Sequence, residues 1–460
     1  MFLTLHLIIL SMGDPFHLRE NGTDFRTEAI AGLTIFFSMA YIVIVNPSIL
    51  SETGMEWGAV FIATLIAAIV GTLVMSLVAN VPFAQAPGLG MSSFFTVTVC
   101  MTLGFTWQQA LSMVFICGLI NILITVTKVR GKIISAIPES IQYAISGGIG
   151  LFIAFMGLIN VGVIGFDGVP QLGDLSDPTV LLFILGLVIV VILHMMKVRG
   201  SMIISMILIT AISLILGLTS MDSSISLRES VEALPSTFGA IFTSEGIPSL
   251  FSDVNLIPAV LVTVMSFSLV DTFDTIGTFI ATGRRSGIFS EEEMSEGGGD
   301  GFRSRMSRAL LADSCATSIG AIVGTSNTTT VVESMTGVEA GGRTGLTSLV
   351  TSLCLMATLF MAPLISIIPT SATSAILVMV GILMMASFAN IDWNDLEEVL
   401  PAFFAGFFMA ICYNISYGIA FALFMYILVK LCKKEWRDIH PVMWAIVVLF
   451  LIDFVLLSIM

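Results

Sequence analysis

The chain has 460 residues, of which 56% are hydrophobic and 11% are charged, and its mean hydropathy is +1.03. Apolar runs of about 20 residues recur along it, which excludes an ordinary soluble domain and indicates an all-α polytopic membrane protein. The formal net charge of -14 arises from acids in loops and from single acids inside apolar segments, so no nucleic-acid partner is expected.

In chain order, the apolar segments predict seven membrane spans, then a polar stretch at 220–255, then seven more spans. The first series lies near 27–46, 58–80, 83–103, 107–127, 140–162, 178–196 and 200–219. The second series lies near 256–282, 308–324, 327–340, 345–368, 372–389, 399–414 and 416–431. A last apolar segment, 442–459, is left over, and the sequence does not decide whether it is an interfacial helix or a fifteenth span.

The basic residues predict the orientation, because lysine and arginine concentrate in the cytoplasmic loops of membrane proteins. With the N-terminus inside, every lysine and arginine except Arg228 falls on the cytoplasmic side of this map. We therefore expect a multi-pass protein of the cell (plasma) membrane with a cytoplasmic N-terminus, in contact with membrane lipid. The sequence leaves open whether the protein forms a homodimer.

In each half, the third segment is short and broken. The first break runs from Pro82 to Phe94 and the second from Gly324 to Glu333. An odd number of spans per half makes the repeats inverted, and paired interrupted segments indicate a transporter's binding site near the membrane midplane. A proline kink would explain the first break alone, but not the matching second one. We expect the two half-helices that follow to direct backbone N–H groups at one point, which suits an acceptor-rich solute.

The acids inside apolar segments that indicate a functional site, because a carboxylate is costly there, are Asp271, Asp274, Asp313 and Glu333. Asp271 and Asp274 are three residues apart and share one helix face. Two carboxylates so close would repel each other if both were ionised, so at least one is expected to hold a proton, as proton coupling requires. Capping of these acids by neighbouring serine, threonine and backbone N–H groups is the structural alternative, which is strongest for Asp313.

No cofactor or metal is expected. The six cysteines lie within or at the edges of apolar segments without a CxxC pair, and the four histidines are isolated. The cysteines are interpreted as small core residues.

The motifs together resemble the adenine/guanine/hypoxanthine permeases of the nucleobase–ascorbate transporter superfamily, from about residue 24 to residue 440. The matching stretches are Asp24-Phe25-Arg26-Thr27-Glu28, Ala31-Gly32-Leu33-Thr34, Met39-Ala40-Tyr41-Ile42, Asn46-Pro47, Ala86-Pro87-Gly88-Leu89-Gly90, Asp271-Thr272-Phe273-Asp274-Thr275-Ile276-Gly277-Thr278, Thr328-Thr329-Thr330, Glu333-Ser334 and Ala340-Gly341-Gly342-Arg343-Thr344-Gly345-Leu346-Thr347.

The resemblance implies about 14 transmembrane helices in a seven-plus-seven inverted repeat of the uracil-permease type, with the third and tenth spans short and broken. A core domain would comprise 27–128 (spans 1–4) and 256–368 (spans 8–11). A gate domain would comprise 138–219 (spans 5–7) and 370–432 (spans 12–14). Residues 1–26 would form a cytoplasmic N-terminal segment, and 433–460 a basic tail with the apolar C-terminal segment.

The resemblance also implies proton-coupled import of purine bases: hypoxanthine, guanine and adenine. Asp274 and Glu333 match the family's substrate-binding carboxylates on spans eight and ten, and Phe94 matches the aromatic that packs on the base. Ser92 stands where the family usually has asparagine, which affects substrate range. The full set expected at the substrate is Asp274, Glu333, Asp271, Ser92, Ser93, Phe94, Thr329 and Thr330, and the set expected in proton coupling is Asp271, Asp274, Glu333 and Asp313.

Other solutes are possible on the same architecture: uracil or xanthine, or an anion such as sulfate or bicarbonate. Anion carriers favour a cation or bare helix ends at the centre, whereas this site has carboxylates. A rival from the enzyme class is an intramembrane aspartyl protease, because Gly297 to Asp300 fits the G-x-G-D motif. That motif has to lie inside a span, and here it lies in a polar loop.

Overall fold

The computed structural model describes residues 14–127, 137–167, 169–220, 225–252, 256–290, 293, 304–412, 414–437 and 439–459. The G-x-G-D motif at 297–300 lies outside these residues, as do the loop basic residues Lys128, Arg130 and Lys132 used in the orientation argument. The described part of the chain is mostly helical.

The helices of the first half begin close to the predicted span starts. They are α1 (Phe25–Met39), α2 (Ile42–Ser51), α3 (Trp57–Val74, continuing as a π-helix to Ala79), α4 (Leu89–Ser93, continuing as a π-helix to Thr102), α5 (Trp107–Val126), α6 (Glu139–Asn160), α7 (Pro178–Met195) and α8 (Ser201–Ile215).

The second half follows a short connection on which two small helices form. The helices from there on are α9 (Leu227–Ala233), α10 (Ile247–Leu250), α11 (Ile257–Ser286), α12 (Arg305–Val323), α13 (Ser334–Glu339), α14 (Gly345–Thr358), α15 (Ala362–Ile365), α16 (Thr370–Met384), α17 (Leu396–Phe403, continuing as a π-helix to Phe408), α18 (Met409–Ile411), α19 (Ile415–Cys432) and α20 (Pro441–Ile459).

Nine helical segments in the described part of the chain are long and apolar enough to cross a bilayer. They contain α1 with α2, α3, α5, α6, α7, α11, α14 with α15, α16, and α19. Shorter apolar helices occur at Leu89–Thr102, Ser201–Ile215 and Pro441–Ile452. The chain is thus an integral membrane protein by length and composition, and the count of fourteen spans stays a prediction.

The expectation of helix alone is corrected at two places, where pairs of short strands form. β1 (Gln85–Pro87) pairs antiparallel with β4 (Thr328–Thr330), and β2 (Ile164–Asp167) pairs with β3 (Val169–Leu172) after α6. The first pair joins the two broken segments to each other. Proline cannot supply a helical N–H, and consecutive β-branched threonines favour extended backbone, so both breaks form strand instead of helix.

The helices form two groups, each packed mainly within itself. One group contains α1 to α5 with α11 to α14, and the closest pairs in it are α5 with α12 and α1 with α14. The other contains α6 to α8 with α16 to α19, centred on the pairing of α6 with α16. Gly150 and Gly381 allow that pairing, because a Cβ on either would lie within 2.6 Å of the other's carbonyl oxygen.

A buried acid fixes α1 to the start of α14. The Glu28 carboxylate is fully buried and accepts hydrogen bonds from the Arg343 backbone N–H at 2.8 Å and from the Thr347 hydroxyl at 2.6 Å. The first N–H groups of a helix lack partners within the helix, and an anion there satisfies them. This contact holds two distant parts of the sequence together beside the broken segments.

Candidate functional site

The crossing of the two breaks positions the site. Gln85 lies opposite Thr330 and Pro87 opposite Thr328 in the strand pair. The Val331 N–H donates to the carbonyl of Ala84 at 3.1 Å, so the pairing continues to the residues just before Glu333. The start of α13 is therefore held against the first break.

Asp313 on α12 anchors the second break from behind. Its carboxylate is fully buried and lies 2.8 Å from the backbone nitrogen of Thr330, 2.9 Å from the Thr330 hydroxyl and 2.9 Å from the Thr275 hydroxyl. Thr329 contributes a hydroxyl 2.7 Å from that of Thr275. These bonds connect α11, α12 and β4. They are of the kind named above as the structural alternative for Asp313, in which hydroxyl and backbone N–H groups surround the carboxylate.

The first break is held by a second buried network. The Ser92 hydroxyl donates to the Asn46 side-chain oxygen and lies 2.7 Å from the Ser326 hydroxyl. Asn46 donates in turn to the hydroxyls of Thr64 at 2.7 Å and Thr325 at 2.9 Å. Ser92, Asn46 and Ser326 have no solvent exposure, so this serine faces protein groups.

Glu333 is the residue before α13, and it has intermediate exposure in an otherwise mostly buried region. The Tyr41 hydroxyl, at the junction of α1 and α2, donates a hydrogen bond to Oε1 of Glu333, and the tyrosine ring is buried. The neighbouring Val332 side chain is 48% exposed although it lies in a broken span. An apolar residue and an acidic residue with accessible surface are thus consecutive in the chain.

Asp274 is the second partly exposed acid of the region. Within the described residues, no protein group hydrogen-bonds to its carboxyl, and the charged groups that act on it are Asp313 and Glu333. Gly277, one helical turn further along α11, is exposed, and a Cβ there would meet nothing within 4 Å. Space therefore remains open beside the Asp274 carboxyl.

Asp271 lies in a different environment from Asp274 despite their shared helix. It is fully buried, and the Asn121 side-chain amide on α5 donates to its Oδ2 at 2.7 Å. The Ser268 hydroxyl donates to the oxygen of the same amide. The structure thus places Asp271 between α11 and α5.

The remaining predicted site residues are buried. Phe94 has no exposed surface and packs edge-on against Phe267, with 4.7 Å between ring centroids. The Ser93 hydroxyl donates to the Leu89 carbonyl at 2.8 Å. Thr329 and Thr330 are buried and bonded around Asp313. The structure brings Asp274 and Glu333 near each other, both with intermediate exposure, whereas these four residues are buried.

Sequence reasoning assigned no role to three polar side chains of these networks: Tyr41 and Asn46, which it quoted only within motifs, and Asn121. Each stands alone in an apolar run, and a buried polar group requires a hydrogen-bond partner. That rule could have flagged all three as partners of other buried polar groups.

Within the described residues, no group of three or more histidine, cysteine, aspartate or glutamate side chains could hold a metal ion. The chemistry that the site offers is that of carboxyl groups, a phenol hydroxyl and an apolar wall.

The fold and the site define a polytopic membrane permease with a carboxylate-bearing centre between two crossed broken segments. The family model Xan_ur_permease, described as "Permease family", matches residues 26–421. The chain therefore belongs to this permease family, whose members are transporters and not enzymes.

Similar proteins span almost the whole chain. "Guanine/hypoxanthine permease PbuO" of Bacillus subtilis (strain 168) is 39% identical over 448 residues, which is 96% of this chain and 100% of that protein. "Adenine permease AdeP" of Escherichia coli (strain K12) is 36% identical over 445 residues, 96% of each.

Solved structures with the same fold are more distant in sequence. The transmembrane domain of the cyanobacterial bicarbonate transporter BicA aligns with a TM-score of 0.59 at 16% identity, covering 86% of this chain and 98% of that one. SLC26A9 aligns with a TM-score of 0.61 at 12% identity, covering 88% of this chain and 65% of that one. At these identities the likeness concerns the fold alone.

Proposed function

We propose that this protein imports purine nucleobases (hypoxanthine, guanine or adenine) by proton symport, with Asp274 and Glu333 binding the base. One observation carries the proposal: Asp274, in a candidate membrane span, and Glu333, after the second break, are acids close enough to act on each other and of intermediate exposure, and Asp274 has no hydrogen-bond partner among the described residues. An acid left without a protein partner at such depth is costly unless a ligand or a proton satisfies it.

The chemistry of the site suits a purine. A purine base offers ring and exocyclic N–H donors and a flat apolar face. Carboxylates accept from such donors, and the exposed Val332 side chain supplies an apolar surface next to Glu333. The relatives at 36–39% identity are a guanine/hypoxanthine permease and an adenine permease, which supports the same substrate class.

An anion substrate is disfavoured by charge. Within the described part of the chain, no lysine or arginine is among the groups that act on Asp274 or Glu333. At 12–16% identity, the fold shared with anion transporters gives no reason to assign an anion substrate to this chain. Uracil and xanthine differ from the proposed substrates only in size and donor pattern, so competition experiments have to separate them.

For the architecture, we propose fourteen spans divided into core and gate domains with the boundaries given above. The two helix groups support the division, because one contains the predicted core spans and the other the predicted gate spans. Some elements are too short or too polar to count as spans by length and hydropathy. Of these, α4 and α13 carry the predicted broken third and tenth spans, and α12 covers the predicted ninth span.

For the orientation, we propose a cytoplasmic N-terminus in the cell membrane. A cysteine introduced at Ser295 should resist a membrane-impermeant thiol reagent in intact cells and react after permeabilisation, because the surrounding arginine-rich loop is predicted to be cytoplasmic. A control cysteine at Ser244, in the opposite set of loops, should react in intact cells. The reverse pattern would invert the map.

The test of function is uptake of labelled hypoxanthine, adenine and guanine in cells that lack their own purine carriers. Uptake should rise as external pH falls from about 8 to about 6, since a carboxylate screened from water takes up protons in that range, and a protonophore should abolish it. Robust transport of uracil or sulfate with none of these purines would reject the substrate class. Sodium-dependent uptake that resists the protonophore would reject the proton coupling alone.

A further inference from the structure

A cleft lies at the end of the helix bundle that faces away from the predicted cytoplasmic loops. It is bounded by the residues after α2, the end of the first broken segment, the start of α5 and the small helix α10. Its volume is about 560 Å³, within the range of small-molecule sites. It is lined by Glu52, Thr53, Cys100, Met101, Phe105, Thr106, Trp107, Gln108, Gln109, Glu245 and Ser249.

The lining combines acceptors, amides and aromatic rings. Gln108 donates to Glu245 at 2.7 Å, and Asn160 donates to Glu52 at 3.3 Å, so the two carboxylates are oriented while each retains further acceptor capacity. Trp107, which has intermediate exposure, supplies apolar ring surface, and the buried Phe105 lies behind the lining. None of the lining residues is lysine or arginine, which disfavours an anion and favours a neutral solute with N–H donors.

The cleft is connected to the central site by the helices that build both. Helix α2 begins beside Tyr41, the partner of Glu333, and ends beside Glu52. Helix α5 begins at Trp107 and carries Asn121, the partner of Asp271. The chain therefore presents two sets of carboxylate and amide groups, one at the middle and one at the outer end of the same helices.

We propose that this outer cleft is a second, weaker binding site for planar heteroaromatic bases, stacked on Trp107 and hydrogen-bonded to Glu52 and Glu245. This inference rests on the proposed function, because it takes the same solute class at a different place. A base held there is concentrated at the entrance that the transport cycle draws from.

The test is hypoxanthine and adenine binding to the purified full-length protein by calorimetry. In the Asp274→Asn/Glu333→Gln double variant, which lacks the central carboxylates, weak binding should persist. Adding Trp107→Ala should weaken this residual binding at least about fivefold, the size expected for loss of one stacking partner. Glu52→Gln should weaken it as well.

Trp57→Ala is the matched control, because Trp57 begins helix α3 near the same end of the bundle and stacks on Phe61 at 5.2 Å between centroids, outside the cleft. It should leave the residual binding unchanged. If the double variant does not fold, the wild-type protein decides: it should show two classes of site, of which Trp107→Ala removes the weaker.

The outcomes separate the two proposals. A single class of site that the double variant loses and Trp107→Ala leaves intact would overturn the outer site and leave the proposed function standing. Equal effects of Trp57→Ala and Trp107→Ala would also overturn it. A wild-type protein that binds neither base at any site would overturn both.

Discussion

The two broken segments pair with each other through β1 and β4, yet their polar groups are used differently. In the first break, Ser92 is fully buried and its hydroxyl is bonded to Asn46 and Ser326. In the second, the residues up to Thr330 are bonded in the same manner, but Val332 and Glu333 emerge at exposed surface. The two breaks are thus held by similar buried hydrogen bonds, and the second continues to an acid of intermediate exposure.

The difference shows that a break in a span has two separable roles. Irregular backbone inside a membrane requires hydrogen bonds from surrounding protein, and both breaks meet this need through buried serine, threonine, asparagine and aspartate side chains. Recognition requires a polar group that the protein itself leaves accessible. The first role predicts loss of stability on substitution, and the second predicts loss of transport without loss of stability.

The largest effect is expected at the exposed carboxyls. If the two acids bind the substrate as proposed, Glu333→Gln and Asp274→Asn should each lower Vmax/KM for hypoxanthine uptake on the order of 100-fold or more, because each removes a charged hydrogen-bonding group from the proposed site. Membrane insertion and thermal stability in detergent should persist. Glu20→Gln, an exposed acid near the N-terminus, is the matched control. Near-normal uptake in both variants would assign these acids a structural role.

Asp313→Asn should lower the stability of the second broken segment, which Asp313 holds through Thr330. The amide would place N–H groups against the backbone N–H and hydroxyl donors of Thr330, and each hydrogen bond to a buried charged group contributes about 1.5–3 kcal/mol. We expect a clear fall in the melting temperature of the purified protein, measured by fluorescence in detergent, larger than for Glu333→Gln. Normal stability combined with lost proton coupling would instead return Asp313 to the proton path.

Tyr41→Phe removes one hydrogen bond to the Glu333 carboxylate while retaining the buried ring. We expect KM for hypoxanthine to rise about tenfold, the effect of losing one hydrogen bond to a charged group. The variant should keep its surface expression. An unchanged KM would show that Glu333 holds its position without the phenol.

Ser92→Ala should have the smallest effect on transport. The hydroxyl bonds to protein groups, namely Asn46, Ser326 and the Gly88 carbonyl, so its removal should lower stability by about 1 kcal/mol and change KM by less than about threefold. Uptake kinetics and a melting curve on the same variant check both parts. A large rise in KM with unchanged stability would contradict the comparison, because the first break would then contact the substrate directly.

Much of the fold could be predicted from the sequence, because apolar length and the placement of lysine and arginine are strong signals in a membrane protein. The broken segments were also predictable, from Pro82, Pro87 and the threonine run at 328–330. The strand pairing between them was not, because each strand has only three residues and the partners lie far apart in the chain. Such a pairing depends on tertiary contacts that no local pattern contains.

The acids of the candidate site were predictable by type and not by exposure. Asp271, Asp274, Asp313 and Glu333 are alike in a hydropathy plot, but neighbouring amides and hydroxyls cover Asp271 and Asp313. Those partners lie on other helices, beyond any spacing argument. Phe94 was expected to pack on the base. Its packing against Phe267 on α11 could not be predicted, because that partner also lies on another helix.

The C-terminal helix α20 has a mechanical consequence. Its buried face, formed by Met443, Ile446, Val447 and Phe450, accompanies packing against α11 of one helix group and α19 of the other. Phe454 lies among the rings of Tyr417, Phe421 and Phe424 on α19. Any movement of α11, which carries Asp274, relative to α19 therefore has to rearrange the apolar contacts that α20 makes with both helices.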